Sequence, residues 1–319
     1  MPKSPPSRRA IRLLARHSDW GSGGVGRALH RHHRPGAAAW RYLLRLLLVG
    51  LGVGLTAAGV WFFFAYNWEA LPKFGKIGLA TAGVAIPAVL AILPRWSPLV
   101  RDILVTAAAF LVGPLYGVIG QVYQTGANAY DLFVAWALFI VVWVVVADFA
   151  PLWLLWLGLV NVSFVLYDEQ VAVGWTDYHL FGGLVAINTL AAVVFHALYH
   201  TGLRRYSYWW LTLTVLATAF SSGLLAVHAI FRPPFPFLPV VLAMVGLMLA
   251  VAYFAFRQRR LAYLAVAALW FIGVTAAFII SGDAEEVNLL LATLWASGAT
   301  TLSIVFLNTL RKRWTDDDE

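Results

Sequence analysis

The sequence predicts an all-α fold, a polytopic bundle of about ten transmembrane helices with both termini in the cytoplasm. The chain of 319 residues is 61% hydrophobic and only 12% charged, whereas a soluble domain is about half apolar and about a quarter charged. Its apolar residues are gathered into runs of about 20 residues, the length that crosses a bilayer as a helix. Its Lys and Arg residues fall on alternate loops between these runs, as the positive-inside rule requires.

The predicted spans are rich in Leu, Val and Ala and show no strict alternation of apolar and polar residues, which disfavours a transmembrane β-barrel. Pro94 and Pro151 lie at the ends of runs, where the missing backbone N–H costs little. In chain order the predicted spans are 46–66, 74–94, 103–122, 131–149, 151–167, 178–198, 207–230, 236–256, 261–280 and 287–309.

The orientation follows from the basic residues. With the N-terminus in the cytoplasm, 20 of the 23 Lys and Arg residues lie on the inner side, and only Lys73, Lys76 and Arg232 lie outside. The opposite orientation would place almost all the basic residues outside. We therefore expect a multi-pass protein of the cell inner (plasma) membrane with cytoplasmic termini.

Three regions follow from this topology. Residues 1–40 form a basic cytoplasmic segment, residues 41–310 the transmembrane domain, and residues 311–319 a cytoplasmic tail. The net charge of +8 would suggest a nucleic acid in a soluble protein, but here topology and contact with anionic inner-leaflet lipids account for it. The expected partner is thus the lipid bilayer and not a nucleic acid. The outer side carries more acidic than basic residues, so an outer entrance that attracts cations is the alternative interpretation.

The stretch WFFFAYNWEALPKFGK, residues 61–76, ends the first span at its outer face. Asn67 can cap the last carbonyls of the helix, Trp68 suits the membrane interface, and Glu69 can pair with a lysine one turn later. These residues are explained as a turn by which the chain leaves the bilayer and returns.

The stretch YGVIGQVYQTGANAYDLFVAWAL contains a polar hairpin tip between the third and fourth spans. Gln121 and Gln124 are spaced to share one helix face, and Asp131 begins the next span, where a carboxylate suits a helix N-terminus. A turn with a helix cap explains them. The alternative is an outer-face polar pocket formed by Asn67, Trp68, Glu69, Gln121, Gln124 and Asp131.

Two amides are predicted near the middle of the bilayer, Asn161 in the fifth span and Asn188 in the sixth. Because their depths match, an amide–amide hydrogen bond can join the two helices; a midplane substrate site is the alternative. His196 and His200 are one turn apart, a spacing that could hold a metal, but capping of the helix C-terminus is the favoured interpretation.

No motif in the sequence predicts a catalytic residue, a metal site or a cofactor. The chain has no cysteine, no nucleotide-binding loop, no G-x-S-x-G elbow and no nucleophile–base pair at a recognisable spacing. No span carries a carboxylate near its centre, which disfavours a proton-coupled transporter of the usual kind.

Three stretches, FFFAYNWEALPKFGKIGLA, GQVYQTGANAYDLFVAWAL and LWLLWLGLVNVSFVLYD, occur in an order and spacing that resemble the DUF2157 family of bacterial predicted integral membrane proteins. Members of this family are similar to one another in an aromatic-rich first span that ends in Asn-Trp-Asp/Glu, and in a later Gly-Gln-x-Tyr turn. The resemblance covers residues 41–200. It implies a bacterial inner-membrane protein without an established activity or assigned catalytic residues, and a hetero-complex with another membrane protein.

Three functions remain open from the sequence. The first is a small-solute or ion transporter or channel, or a component of one, because nearly all of the chain is predicted to lie in the membrane. The second is a scaffold or assembly partner for another membrane or envelope protein. The third is an intramembrane enzyme acting on lipid-linked substrates, for which Glu69 and Asp131 are the candidate carboxylates.

Overall fold

The computed structural model describes positions 40, 41, 44, 48, 51 and 55 and residues 68–202, 208–232, 237–282 and 284–317. The chain divides into two compact units, Met1–Pro72 and Lys73–Glu319. In the first unit the six isolated positions from 40 to 55 are helical. Three of them, positions 48, 51 and 55, fall in the first predicted span, and the rest of that span lies outside the described residues.

The second unit is helical throughout its described elements, which confirms the predicted all-α fold. Nine helices there are long and apolar enough to cross a membrane, and they correspond to the second to tenth predicted spans within a few residues at most ends. They are α1 (Lys73–Ile92), α2 (Pro98–Tyr123), α3 (Ala129–Ala147), α4 (Ala150–Gln170), α5 (Asp177–His200), α6 (Tyr208–Phe231), α7 (Phe237–Arg257), α8 (Leu261–Ile280) and α9 (Glu285–Asp317).

Local signals explain several helix ends. Ser97 is the N-cap of α2, where its Oγ accepts a hydrogen bond from the Val100 N–H at 3.4 Å, and proline follows it at the first helical position. Gln124 and Asp148 end α2 and α3 in the left-handed conformation, with φ of 47° and 48°. Each donates its backbone N–H to a carbonyl four residues earlier, Gly120 and Val144. The prolines and polar residues between spans therefore act as helix boundaries.

The helix α9 is longer than predicted. It has 33 residues and continues to Asp317, through the basic residues at 311–313. The Trp314 ring lies 5.8 Å from the Phe256 ring of α7, edge to face. The segment predicted as a tail therefore continues α9 in its described part, and its tryptophan is anchored to the end of α7.

The helix α6 lies at the centre of the second half of the unit. It contacts α4, α5, α7 and α8, and 50% of its apolar stretch is buried, against 6% for α1, α7 and α9. Trp210 and Leu211 of α6 pack with Phe195 of α5 and Tyr263 of α8 in one buried cluster. A second cluster joins α2, α3 and α4 around residues such as Ile140. The first of these cores and a third cluster, which joins α6, α7 and α8 around Met248, fix the helices that surround the candidate site.

Candidate functional site

The end of the first unit contains two described residues of the predicted polar pocket. Trp68 and Glu69 lie in a turn, in which the Leu71 N–H donates to the Trp68 carbonyl at 3.2 Å, and the Glu69 side chain is exposed. Asn67 lies outside the described residues. The convergence of these three residues with the α2–α3 hairpin stays a prediction.

The α2–α3 hairpin has a hydrogen-bonded tip. The Asp131 carboxylate accepts the Asn128 N–H at 3.0 Å at the start of α3, and the Tyr130 N–H donates to the Gln170 side chain of α4 at 3.1 Å. Gln121 and Gln124 are exposed near the end of α2. The acidic group of this tip therefore acts as a helix cap in the structure, while the two glutamines remain available to solvent.

The first residue of α1 also reaches this hairpin. The Lys73 ammonium lies 5.1 Å from the centroid of the Tyr123 ring, within the range of a cation–π interaction. It therefore ties the start of α1 to the end of α2, close to Gln121 and Gln124 in the sequence.

Asn161 of α4 and Asn188 of α5 form a reciprocal pair. Asn188 Nδ2 donates to Asn161 Oδ1 at 2.8 Å, and Asn161 Nδ2 donates to Asn188 Oδ1 at 3.2 Å. Each Nδ2 also donates to the carbonyl four residues earlier in its own helix, at 2.8 Å for Leu157 and 2.9 Å for Leu184. An amide has two N–H groups, so both are engaged in each residue. The arrangement joins two helices and leaves no amide hydrogen of the pair for a solute.

A cavity of about 400 Å³ lies among four helices, α5, α6, α7 and α8. Its lining is almost entirely apolar, with a few polar side chains at fixed places, as is usual for binding pockets of about 300–1,000 Å³. Lining residues include Thr189 and His196 of α5, Thr218 of α6, Ala250 and Phe254 of α7, and Tyr263 of α8.

His196 forms a polar wall of this cavity. Its Nδ1 lies 2.7 Å from the Ala192 carbonyl, which can only accept, so Nδ1 carries the proton. In the neutral ring Nε2 then accepts the Tyr263 hydroxyl, whose oxygen is 3.0 Å away. His196 thus bridges α5 and α8 instead of capping its helix end, which differs from the interpretation favoured by the sequence. Both ring nitrogens are engaged, so a metal would have to displace one of these bonds.

Thr189 contributes the other unusual polar group. Its hydroxyl oxygen is buried and has no hydrogen-bond partner among the described residues, and the residue lines the cavity at the end away from His200. A buried hydroxyl without a partner is unfavourable. A water molecule or a ligand acceptor would complete its hydrogen bonding.

No direct signal in the sequence predicts this cavity. The spacing of the histidines is visible in the sequence, but Tyr263 is 67 residues away from His196 in the chain, and Phe254 and Ala250 belong to an ordinary apolar run. The available signal was the i, i+4, i+8 spacing of Ala192, His196 and His200, which places them on one face of α5. The sequence alone could suggest that this face of α5 lines a cavity, but it could not identify the residues of the other helices that lie opposite.

The comparison with protein families agrees with the resemblance predicted from the sequence. Residues 26–153 match the DUF2157 family model. The family is described as a predicted membrane protein, and the recognition made from the sequence motifs is confirmed within those residues. The match ends near the beginning of α4, earlier than expected, so that the cavity and the asparagine pair lie beyond it. Comparison with curated proteins and with solved structures found no match.

Proposed function

We propose that this multi-pass protein is a component of a small-solute transport system, and that the cavity among α5, α6, α7 and α8 holds the solute. The observation that carries the proposal is the cavity itself, about 400 Å³ within a group of helices long enough to span the bilayer. Binding sites between the helices of a bundle are a usual place for small ligands. The expected location is the inner membrane, with both termini in the cytoplasm.

The chemistry of the lining favours binding over catalysis. It offers hydroxyl, imidazole and aromatic groups but no carboxylate. Two hydrogen bonds hold the His196 ring in a fixed orientation. Asp131, one of the two carboxylates considered for an enzyme, accepts a helix-capping hydrogen bond. Transport therefore accounts for the described geometry with fewer assumptions than an enzyme acting on lipid-linked substrates.

Electrical recording on proteoliposomes tests the proposal. The purified full chain is reconstituted on a solid-supported membrane and exposed in turn to amino acids, sugars, nucleosides, carboxylic acids and short-chain anionic lipids. We expect a transient current with at least one class, lost in Ala250→Phe, which fills the cavity, and kept in Ala243→Phe. Both alanines are exposed on α7, two turns apart, and only Ala250 lines the cavity. No current with any class, or equal currents in both variants, contradicts the proposal.

A scaffold function is the second candidate. The face of α9 that is turned away from the other described helices favours it. Among the described helices, α9 packs along α8 and meets α7 at its end through Trp314. Its exposed residues include Thr293, Ser297, Gly298 and Thr301, small residues of the kind enriched where membrane helices meet. This composition fits a hetero-complex with another membrane protein.

Purification from the native membrane distinguishes the scaffold. A co-purifying membrane protein in fixed ratio is expected with the wild-type chain and with Gly246→Leu, and not with Gly298→Leu. Both glycines are exposed and would meet no atom within 4 Å on gaining a Cβ, so neither change disturbs the internal packing. A monodisperse single chain from the native membrane contradicts the scaffold.

A further inference from the structure

The cavity has the depth of one leaflet of the bilayer. It follows α5 from Thr189 to His200, eleven residue steps, which at 1.5 Å each is about 16 Å. The hydrocarbon core of a bilayer is about 30 Å thick. The cavity therefore extends from near the middle of the spans to the end at which α5 and α7 finish and α8 begins.

The cavity is open on the side between α5 and α7. The backbones of these two helices stand apart in the described part of the chain, and the Phe254 ring of α7 reaches across to the His196 and His200 rings of α5, at centroid distances of 5.7 and 5.9 Å. The helix α6 contacts both helices and supplies Val215 and Thr218 to the lining. Val193 of α5 is 60% exposed although it lines the cavity, and Ala250 of α7 is also exposed. In a membrane this opening faces the acyl chains of the same leaflet.

Basic groups border one end of the cavity. Arg257 ends α7, one turn after Phe254 and two turns after Ala250, so it follows them on the same helix face. Its Nε donates to the Tyr253 hydroxyl at 3.1 Å, which orients the guanidinium. Arg260 immediately precedes α8, one turn before Tyr263, and its N–H donates to the Ala255 carbonyl at 2.8 Å. A tight turn thus brings the two arginines together just beyond this end of the cavity, although neither belongs to its lining.

The lining of the cavity contains no acidic residue. The four helices around it carry one, Asp177, which is the first residue of α5 and lies at the end of that helix away from the arginines. Arginine pairs well with phosphate through its planar set of N–H groups. An apolar cleft one leaflet deep, with arginines at the interface, matches an amphiphile that has an apolar chain and an anionic head.

We infer that the cavity binds one acyl chain of an anionic phospholipid, with the lipid phosphate at Arg257 and Arg260. The inference rests on the proposed function in that it names the substrate class of the same cavity. The acyl chain lies along Val193 and Ala250, and it enters sideways between α5 and α7. The uncharged side chains of the lining suit the chain, while the two arginines discriminate between anionic and zwitterionic heads.

Native mass spectrometry of the full chain in detergent tests the lipid. Dioleoyl phosphatidylglycerol and dioleoyl phosphatidylcholine have the same acyl chains and differ in head charge. We expect phosphatidylglycerol to bind about tenfold more tightly, and Ala250→Phe to lose both lipids while Ala243→Phe keeps them. Ala197→Phe fills the cavity from α5 and is expected to repeat the loss. Equal binding of the two lipids, or retention in both filled variants, overturns the inference.

The charge is tested with a matched pair of variants. Arg257→Gln/Arg260→Gln is expected to lower phosphatidylglycerol binding to the level of phosphatidylcholine, whereas Lys312→Gln/Arg313→Gln, which also removes two charges, is expected to change it little. Lys312 lies in the last part of α9, which runs antiparallel to α8 and so ends at the same end of the unit. Equal losses in both variants would mean a general charge effect and would overturn the assignment of the arginines. Displacement of the lipid by inorganic phosphate would indicate a free-phosphate site instead.

Different experimental results would contradict the lipid-binding proposal and the transport proposal. Specific lipid binding without any current, including with a short-chain phosphatidylglycerol as the test solute, overturns transport and keeps the lipid. A current with another solute that is unaffected by phosphatidylglycerol, together with unspecific lipid binding, overturns the lipid and keeps transport.

Discussion

The Asn161–Asn188 pair shows how polar groups are accommodated near the middle of two long apolar helices. Asn188 is 4% exposed, and the two amides donate to each other and to their own helices. Removing one partner leaves the other amide buried with an unused donor and acceptor, which costs more than the bond itself contributes. The pair therefore couples α4 to α5 more strongly than its modest bond energy suggests.

Single and double substitutions measure this coupling. Asn161→Leu and Asn188→Leu are each expected to reduce stability by about 1–2 kcal/mol, and the double variant to lose less than the sum of the two, because no orphaned amide remains. Unfolding of the detergent-purified protein, followed by the fluorescence of its 15 tryptophans, gives the three values. Strict additivity would show that the two amides act independently.

The unpartnered hydroxyl of Thr189 leads to an opposite expectation. Thr189→Val keeps the shape of the side chain and removes a buried hydroxyl that has no partner among the described residues. The free energy of unfolding is therefore expected to increase by about 1 kcal/mol, and the melting temperature to rise with it. Thr218→Val is the control, since the Thr218 hydroxyl donates to the Thr214 carbonyl at 3.0 Å; its melting temperature is expected to stay level or fall. A fall for Thr189→Val would mean that the hydroxyl binds water or ligand in the cavity.

At the residue scale the sequence could predict contacts between neighbouring spans at equal depth, and little else. The depth of Asn161 and Asn188 follows from counting along two adjacent spans. The bond between His196 and Tyr263 joins helices that are not neighbours in sequence, and it depends on how each helix rotates about its axis. Small differences in packing determine that rotation, and hydropathy carries no information about it.

At the scale of elements, the helix α3 packs on α2 through an unusually close contact. The Trp136 ring lies where a Cβ on Gly113 would sit, and Trp136 Nε1 donates to the Ala109 carbonyl at 2.7 Å. Glycine at this place on α2 allows the indole to lie against the backbone. The sequence shows both residues but gives no reason to pair them.

A methyl group at position 113 should separate these helices. Gly113→Ala is expected to destabilise the protein by about 1–3 kcal/mol, because the indole must move, although alanine is the better helix former by about 1 kcal/mol. Gly158→Ala in α4 is the control, since nothing lies within 4 Å of its added Cβ; here the propensity gain alone is expected. Equal melting temperatures for the two variants would show that the contact is easily rearranged.

Helix positions were largely predictable because an apolar run in lipid has to satisfy its backbone within the helix. The extension of α9 beyond the predicted span has a local cause. Arg311, Lys312 and Arg313 end the apolar run, but they are good helix formers, so the helix continues past the membrane to Asp317. Hydropathy shows where the apolar segment ends, but the backbone hydrogen bonds of the helix can continue beyond that point.

For the whole molecule, composition and charge predict the number and direction of the spans but not their arrangement. The central position of α6 comes from contacts with four other helices. The cavity exists because α5 and α7 both pack on α6 with their backbones apart, so that side chains such as Phe254 bridge the gap between them at one end. The direction of the spans determines which leaflet this opening faces. With the N-terminus inside, the end with Arg257 and Arg260 faces the cytoplasm.

The absence of cysteine from the chain makes that direction directly measurable. Val173, 98% exposed before α5, and Thr201, exposed after it, lie at opposite ends of the same span. In intact spheroplasts a membrane-impermeant maleimide is expected to label Val173→Cys and to leave Thr201→Cys unlabelled, whereas permeabilised cells are expected to label both. The reverse pattern would invert the bundle. The arginines would then face the outer leaflet, and the basic residues would violate the positive-inside rule.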